Sequence, residues 1–485
     1  MGIVVKQSVW NLVITGLGFV LGALNVLILA QVYLSDDYYG LWNYVLSTSF
    51  LFFPLMSFGI HNTIVKYYSS YTTKEERDGF LTQMLLWPLF IIIPIIGIIY
   101  LAQDTIASYI SDKNEITGAF LWCIPMIAIF QAYFEIFYAW VKVHMKTIVG
   151  NFLKEVFYRA GAMLTLMMLA LGWIDQTEFI YSLMVIYALR ALLMNIIAFK
   201  TYLPVFRFQK LMNTSKIINY SIYMIVAGSI STALIDLDKF MLNQYVAIDQ
   251  IGYYGIAIFI ATVIAVPARG MAQITHPLTA GHFNRDEMGD VAQLYKRSSL
   301  NLSVVAGFLL VIIFCNLKEF YAMMPPETRI AIPVVFLIAL TKFSENLLGS
   351  NNAILYNSDL YKVTLWLGLV LTLLAIGLNW WLIPIFGIIG AAIATCVAYL
   401  CYAFAKAYYV YMKLKIHPWT SKTWNTLFLI AAIIGIFYFW DFFWHPLVNI
   451  AVKSVLISLT YLWSIYKLKL SSEMNQIIKR YLLRN

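Results

Sequence analysis

Charge is scarce in this chain: Asp, Glu, Lys and Arg supply 12% of its 485 residues, about half the share usual in a soluble domain. Signature catalytic loops are missing as well. No GxxxxGK(S/T) phosphate loop, no GxGxxG run opening a helix and no HExxH occurs. Uphill transport would therefore have to draw on an ion gradient, the membrane potential or the substrate's own gradient. The four cysteines, Cys123, Cys315, Cys396 and Cys401, fall in or beside apolar stretches without a CxxC pair. They are expected to be packing residues, and no disulfide framework or metal site is implied. Long loops are lacking too: polar stretches reach only about 20 residues, as at 199–216 and 276–297, too short for a soluble catalytic domain.

What is abundant is apolar surface, with 61% hydrophobic residues and a mean hydropathy of +0.77. Runs of about 20 apolar residues, the length a helix needs to cross the hydrocarbon core, occur at 8–31, 39–61, 81–102, 118–140, 149–172, 179–199, 217–246, 251–275, 298–317, 330–350, 363–384, 386–409, 424–444 and 446–466. The expected fold class is an all-α polytopic membrane protein with about 14 transmembrane helices. The first run is too long for the apolar core of a signal peptide and has only Lys6 as a basic start, so it is read as a span.

Orientation follows from the 33 Lys and Arg residues. With the N-terminus inside, 22 fall in cytoplasmic stretches, including Lys66, Lys74, Arg77, Lys142, Lys146, Lys200, Arg207, Lys210 and the tail from Lys467 to Arg484. Only Lys113, Lys318 and Arg329 fall in outer loops, which predicts both termini in the cytoplasm. The net charge of +9 is then explained by lysines facing an anionic inner leaflet and calls for no nucleic acid.

Tyr38-Tyr39-Gly40, followed by Met56 and His61, recurs 215 residues later as Tyr253-Tyr254-Gly255, followed by Met271 and His276. Ile124-Pro125 with Glu135, and Ile332-Pro333 with Glu345, extend the match. One unit written twice predicts two six-helix lobes, helices 1–6 in residues 1–210 and helices 7–12 in residues 211–415. Six is an even number, so the repeat is parallel, with helices 13 and 14 and a basic tail, 416–485, outside it. Two such lobes enclose a cleft, and rocking one against the other exposes it to each face in turn.

The run Asp238-Lys239-Phe240-Met241-Leu242-Asn243, then Ile251-Gly252-Tyr253-Tyr254-Gly255, and later Asn379, Ile383-Pro384 and the small-residue run from Gly387 through Gly390 to Thr395 resemble the polysaccharide flippases of the multidrug/oligosaccharidyl-lipid/polysaccharide exporter superfamily. The resemblance covers nearly the whole chain, and its loose motifs identify the superfamily better than the substrate. It implies a non-enzymatic function, movement of a polyprenyl-diphosphate-linked oligosaccharide from the inner to the outer leaflet of the bacterial inner membrane by alternating access.

Charges placed in apolar stretches are the candidates for binding such a cargo, because a central ionisable residue costs a few kcal/mol and should face a partner or a wet cavity. Arg159 lies about 15 Å into the fifth span at 1.5 Å per residue, and Arg190 is similarly central in the sixth. Arg269 sits beside Pro267 in the eighth, Lys239 in the seventh and Lys342 in the tenth. A diphosphate would be held by such cations, and guanidinium forks suit its paired oxygens. Structural pairing competes with this reading: Glu155 with Arg159, Asp236 with Lys239 and Lys342 with Glu345 stand at helical spacing. Arg190 and Arg269 have no acid at such spacing and are the stronger candidates. Lys154 and Lys406 are expected to snorkel to the inner boundary without a role.

Asp236 and Asp238, with Asn379 and Thr395, supply hard oxygen donors from three spans, suited to Na⁺ or a proton. Related lipid-linked-precursor flippases build a cation site from an acid in span seven and polar residues in spans eleven and twelve, so the resemblance implies coupling at Asp238, Asn379 and Thr395. No other cofactor is expected. Tyr38, Tyr39, Tyr253, Tyr254, Trp380, Trp381, Trp440 and Trp444 cluster at outer span ends, where interfacial anchoring is the default. His61 and His276 are expected to cap or hydrogen-bond. The implied partners are the lipid-linked glycan, membrane lipids and a polysaccharide polymerase or ligase. A multidrug or cation antiporter of the same fold competes, although it would normally stop at twelve spans. A polyprenyl-dependent glycosyltransferase or polymerase has only Asp36-Asp37 to support it, and that pair reads more simply as a solvated turn.

Overall fold

The computed structural model describes residues 2–144, 146–208, 211, 213–358, 360–442 and 444–481. Lys210 and Arg484 lie outside the described residues. All regular structure among those residues is helical, as the apolar runs require where water cannot satisfy backbone groups.

The chain forms two compact units, 1–252 and 253–485. Unit 1 holds α1 (Gly2–Leu24), α2 (Asp36–Met56), α3 (Ile60–Tyr67), α4 (Lys74–Leu86), α5 (Leu89–Leu101), α6 (Cys123–Val143), α7 (Tyr158–Ala170), α8 (Gln176–Thr201), α9 (Thr214–Leu242) and the start of α10 (Ile248–Thr262). Its packing centres on α6 against α8 and on α2 against α9, over a core that includes Phe80, Met84, Phe134, Trp140 and Met194. The α2–α9 contact is why residues 214–242, expected in the second lobe, pack with the first unit, and the packing boundary falls at 252.

Unit 2 continues with α11 (Val266–Asn284), α12 (Met288–Ala322), α13 (Ile332–Leu347), α14 (Tyr361–Leu414), α15 (Ser421–Phe437), α16 (Pro446–Leu468) and α17 (Ser472–Tyr481). The 35-residue α12 is its hub, packed on α11, α13, α15 and α16.

Each of the fourteen apolar stretches is occupied by helix, but the count of spans differs from expectation. Among the described residues nine helices are long and apolar enough to cross a bilayer, or eleven if two bent pairs each count as one. The shortfall has local causes. The 149–172 stretch is interrupted by a π-turn at Leu153–Phe157, α15 has only 17 residues, and α14 runs through two expected spans as one element. Within α14 the backbone breaks at Gly387, φ 56° and ψ −133°, a conformation open to glycine and closed to residues with a Cβ.

The Tyr-Tyr-Gly motif has a packing role. A Cβ at Gly40 would lie 1.8 Å from the Ile248 carbonyl oxygen, and one at Gly252 would lie 2.7 Å from the Tyr39 ring. Only glycine lets α2 cross the start of α10 this closely. Tyr39 is buried by that crossing, and Tyr253 and Tyr254 are buried as well, so these three are core residues and not interfacial anchors. Trp380, Trp381, Trp440 and Trp444 are exposed, as anchors should be.

Candidate functional site

The π-turn at Leu153–Phe157 sets the geometry of a charged cluster in unit 1. It is packed against α1, while a second π-turn, Asn25–Leu29, faces α7. Asn25 Nδ2 donates to the Arg159 carbonyl oxygen at 2.7 Å, joining the two irregular stretches. Such turns open a helix's hydrogen-bond ladder and occur often at functional sites.

Arg159 Nη1 lies 2.9 Å from Glu155 Oε2, the pair expected from helical spacing. Lys154, expected to snorkel, instead meets the buried Glu135 of α6 at 2.6 Å. The π-turn presents Lys154 to a neighbouring helix, which spacing along one helix does not register. Arg190 on α8 is only 2% exposed. Its guanidinium donates to the Gln131 side-chain oxygen and stacks 4.3 Å from the Phe134 ring centre and 4.4 Å from that of Tyr187. Gln131 in turn reaches Glu135 at 3.5 Å, and the Tyr158 ring lies within 5.8 Å of both Arg159 and Arg190.

The result is a continuous cluster of three cations, Lys154, Arg159 and Arg190, against two carboxylates, Glu135 and Glu155. Lys142, over the Tyr138 ring at 4.0 Å, adds a fourth cation nearby. Two buried polar atoms in this cluster, Arg190 Nε and Tyr187 Oη, have no hydrogen-bond partner among the described residues. A buried donor left unmade costs about 1–3 kcal/mol, so the pair is suited to an anionic or hydroxylated ligand.

The other expected residues are distributed as follows. Asp236 and Lys239 pair at 3.8 Å on α9, with Ser47 of α2 hydrogen-bonded to Asp236, and Asp238 is buried on the same helix. Asn379 and Thr395 are buried on α14, on opposite sides of the Gly387 break. Asp236 and Asp238 belong to unit 1, Asn379 and Thr395 to unit 2. Lys342 sits 5.1 Å over the Tyr399 ring. Its expected pairing with Glu345 is not among the ion pairs within 4 Å formed by the described residues. Arg269 is exposed on α11. Lys406 does not snorkel: it is buried, donates to Asn352 Oδ1 at 3.1 Å and lies over the Tyr402 ring. His61 hydrogen-bonds Asn62, and the His276 ring stacks on Tyr356.

Sequence spacing missed a second charged cluster in unit 2. Lys453 of α16 is 1% exposed and lies 2.5 Å from Glu319 of α12 and 3.1 Å from Asp441. Its partners are 134 and 12 residues away, beyond any single-helix pattern. His282, Glu287 and Asp290 also converge, but Glu287 is taken by His282 at 2.7 Å and Arg285 at 3.1 Å.

Residues 4–279 match the family described as polysaccharide biosynthesis protein. The chain belongs to that family. No curated protein matches it in sequence. Among solved structures the chain is similar to the lipid II flippase MurJ in its inward closed conformation, with a TM-score of 0.68 at 16% identity, covering 96% of this chain and 99% of that one. It is also similar to an inward-facing multidrug resistance MATE family transporter of the MOP superfamily, with a TM-score of 0.60 at 13% identity over 82% of this chain and 98% of that one. A MOP superfamily transporter from Pyrococcus furiosus gives 0.56 at 14% identity over 84% and 96%. This family member is thus a multi-pass membrane protein with the fold shared by those flippases and transporters, as the resemblance implied.

Proposed function

We propose that the protein is a flippase that carries a polyprenyl-diphosphate-linked oligosaccharide from the inner to the outer leaflet of the bacterial inner membrane by alternating access. Both termini are cytoplasmic in this reading, and no catalytic step is involved. The observation that carries it is the cation excess of the partly buried unit 1 cluster, where Arg190 and Tyr187 retain polar atoms without a hydrogen-bond partner among the described residues. A diphosphate presents the charge and paired oxygens that guanidinium groups bind best. In unit 1, Arg190 and Arg159 hold the head group, Lys239 is a further cargo contact, and Asp236 and Asp238 are the acids that bind a coupling Na⁺ or proton; in unit 2, Arg269 and Lys342 are proposed as cargo contacts and Asn379 and Thr395 as polar residues of coupling. The glycan is handed on to a polymerase or ligase at the outer face.

Coverage favours this over the antiporter reading. Both solved relatives are matched almost end to end, but the flippase accounts for 96% of this chain and the multidrug transporter for 82%. The extra chain here therefore has a counterpart in the flippase. Lipid analysis of a deletion strain tests the proposal. Lipid-linked glycan should accumulate with its sugar on the cytoplasmic side and be relieved by the wild-type gene. Normal delivery to the outer face together with raised drug sensitivity would select the antiporter instead.

A further inference from the structure

Basic residues at the inner end of a span follow from topology alone and need no ligand. The C-terminal end of α16 shows more than that. The chain turns at Lys469, φ 48°, and folds back as α17. The turn is pinned to unit 2: the Ser471 hydroxyl accepts from the Met474 amide at 3.1 Å and donates to Asn301 of α12 at 2.7 Å, while Asn475 donates to the Tyr466 carbonyl oxygen at 3.4 Å.

A cavity of about 360 Å³ opens between the end of α16 and α17. Lys467, Lys469 and Lys479 line it together with Ser472, Asn475 and Gln476, and no acid is among its described lining residues. None of the three lysines forms an ion pair among the described residues. Lys467 lies 4.7 Å over the Trp463 ring, and Lys422 adds a fourth cation at the rim by donating to the Lys469 carbonyl oxygen at 3.0 Å. Glu473, the acid of the first turn, is engaged elsewhere. Burial raises its carboxyl, but its own backbone amide, the Ser472 and Ser471 hydroxyls and the Arg297 charge outweigh that and hold it below its ordinary value. On α16, Val455, Leu459 and Trp463 are exposed at four-residue spacing and share one face, with Lys467 next along it, so an apolar, lipid-facing strip ends where the cationic cleft begins.

We infer that the cleft between α16 and α17 binds the phosphate of an anionic phospholipid of the adjoining leaflet, with the acyl chains lying along Trp463 and Leu459. Three cations, with the neutral side chains of Tyr466, Asn475 and Gln476 beside them, match one phosphodiester, and the adjacent apolar strip selects a lipid over a free anion. Each lysine near an anionic lipid surface contributes enough to change binding about fivefold, or about 100-fold for three. This inference stands independently of the cargo assigned to the unit 1 cluster.

The test is thermal unfolding of the purified full-length protein in neutral detergent, titrated with short-chain phosphatidylglycerol, phosphatidylcholine or inorganic phosphate. Phosphatidylglycerol should raise the midpoint in a saturable way, and the other two should not. Lys467→Gln/Lys469→Gln/Lys479→Gln should need about 100-fold more phosphatidylglycerol for the same shift, and Lys479→Gln alone about fivefold more, each measured from its own baseline. Lys413→Gln/Lys415→Gln, which removes basic residues from the end of α14, should bind as wild type. Unchanged binding by the triple variant overturns the proposal. So does equal loss in the α14 control, an equal shift with phosphatidylcholine, or the full shift with inorganic phosphate alone.

Discussion

Lys453 Nζ lies 2.5 Å from Glu319 Oε1, an ion pair that ties α16 to the hub helix α12 inside unit 2. The Lys453 ammonium also donates to the Cys315 carbonyl oxygen at 3.0 Å. Removing one partner of a buried pair leaves the other charge uncompensated, at a cost of about 3–5 kcal/mol. Glu319→Gln is therefore expected to lower stability by about 3 kcal/mol. Asp441→Asn removes a half-exposed carboxylate and should cost under about 1 kcal/mol. Thermal unfolding of the purified variants checks the order, and equal losses would show that the pair does not hold α16 in place.

Arg190 is the sharpest test of the unit 1 cluster. Arg190→Ala removes a guanidinium hydrogen bond of about 1.5–3 kcal/mol and should reduce glycan translocation at least about tenfold, with the protein still present in the membrane. Arg190→Lys should not restore it, because an ammonium cannot stack between Phe134 and Tyr187 while reaching Gln131. Translocation in membrane vesicles measures both, and full activity of Arg190→Lys would reduce the role to a point charge.

Lys154→Met should impair translocation although the sequence position suggests an inert boundary lysine, since it strips the buried Glu135 of its 2.6 Å partner. The double variant Lys154→Met/Glu135→Gln should recover part of the protein stability, as removal of both partners relieves the orphaned charge. The coupling energy from a double-mutant cycle reads this directly, and additive effects would mean that the two groups act separately.

Gly40→Ala places a methyl group on the Ile248 carbonyl oxygen and is expected to destabilise unit 1 by about 3 kcal/mol. Gly16→Ala meets nothing within 4 Å among the described residues and should be neutral or stabilising by up to about 1 kcal/mol, as helix propensity dictates. Yield of folded, monodisperse protein separates the two.

Coupling is tested through Asp238. Asp238→Asn should abolish the dependence of translocation on an imposed Na⁺ or proton gradient, and Asp236→Asn, which removes the partner of Lys239, should weaken it less. Gradient dependence retained in Asp238→Asn would remove this residue from the coupling set.

Where the helices lie was legible in the sequence because exclusion of water acts on each stretch of about 20 residues by itself. The Arg159–Glu155 and Asp236–Lys239 pairs were legible for a similar reason: partners three or four residues apart meet on any helix. What only the tertiary structure decided is which remaining charges are satisfied, and by what. Arg190, with no acid on its own helix face, is bound by Gln131, 59 residues away, and by two rings. Lys154 is claimed by Glu135 through a π-turn that local spacing does not reveal, and Lys453 is held by a carboxylate 134 residues earlier. Hydropathy and helical periodicity report only neighbours along one helix. The burial of a charge depends on which helices pack together, and that is set by close crossings such as Gly40 against Ile248, where the absence of a single Cβ determines how near two segments distant in sequence can come.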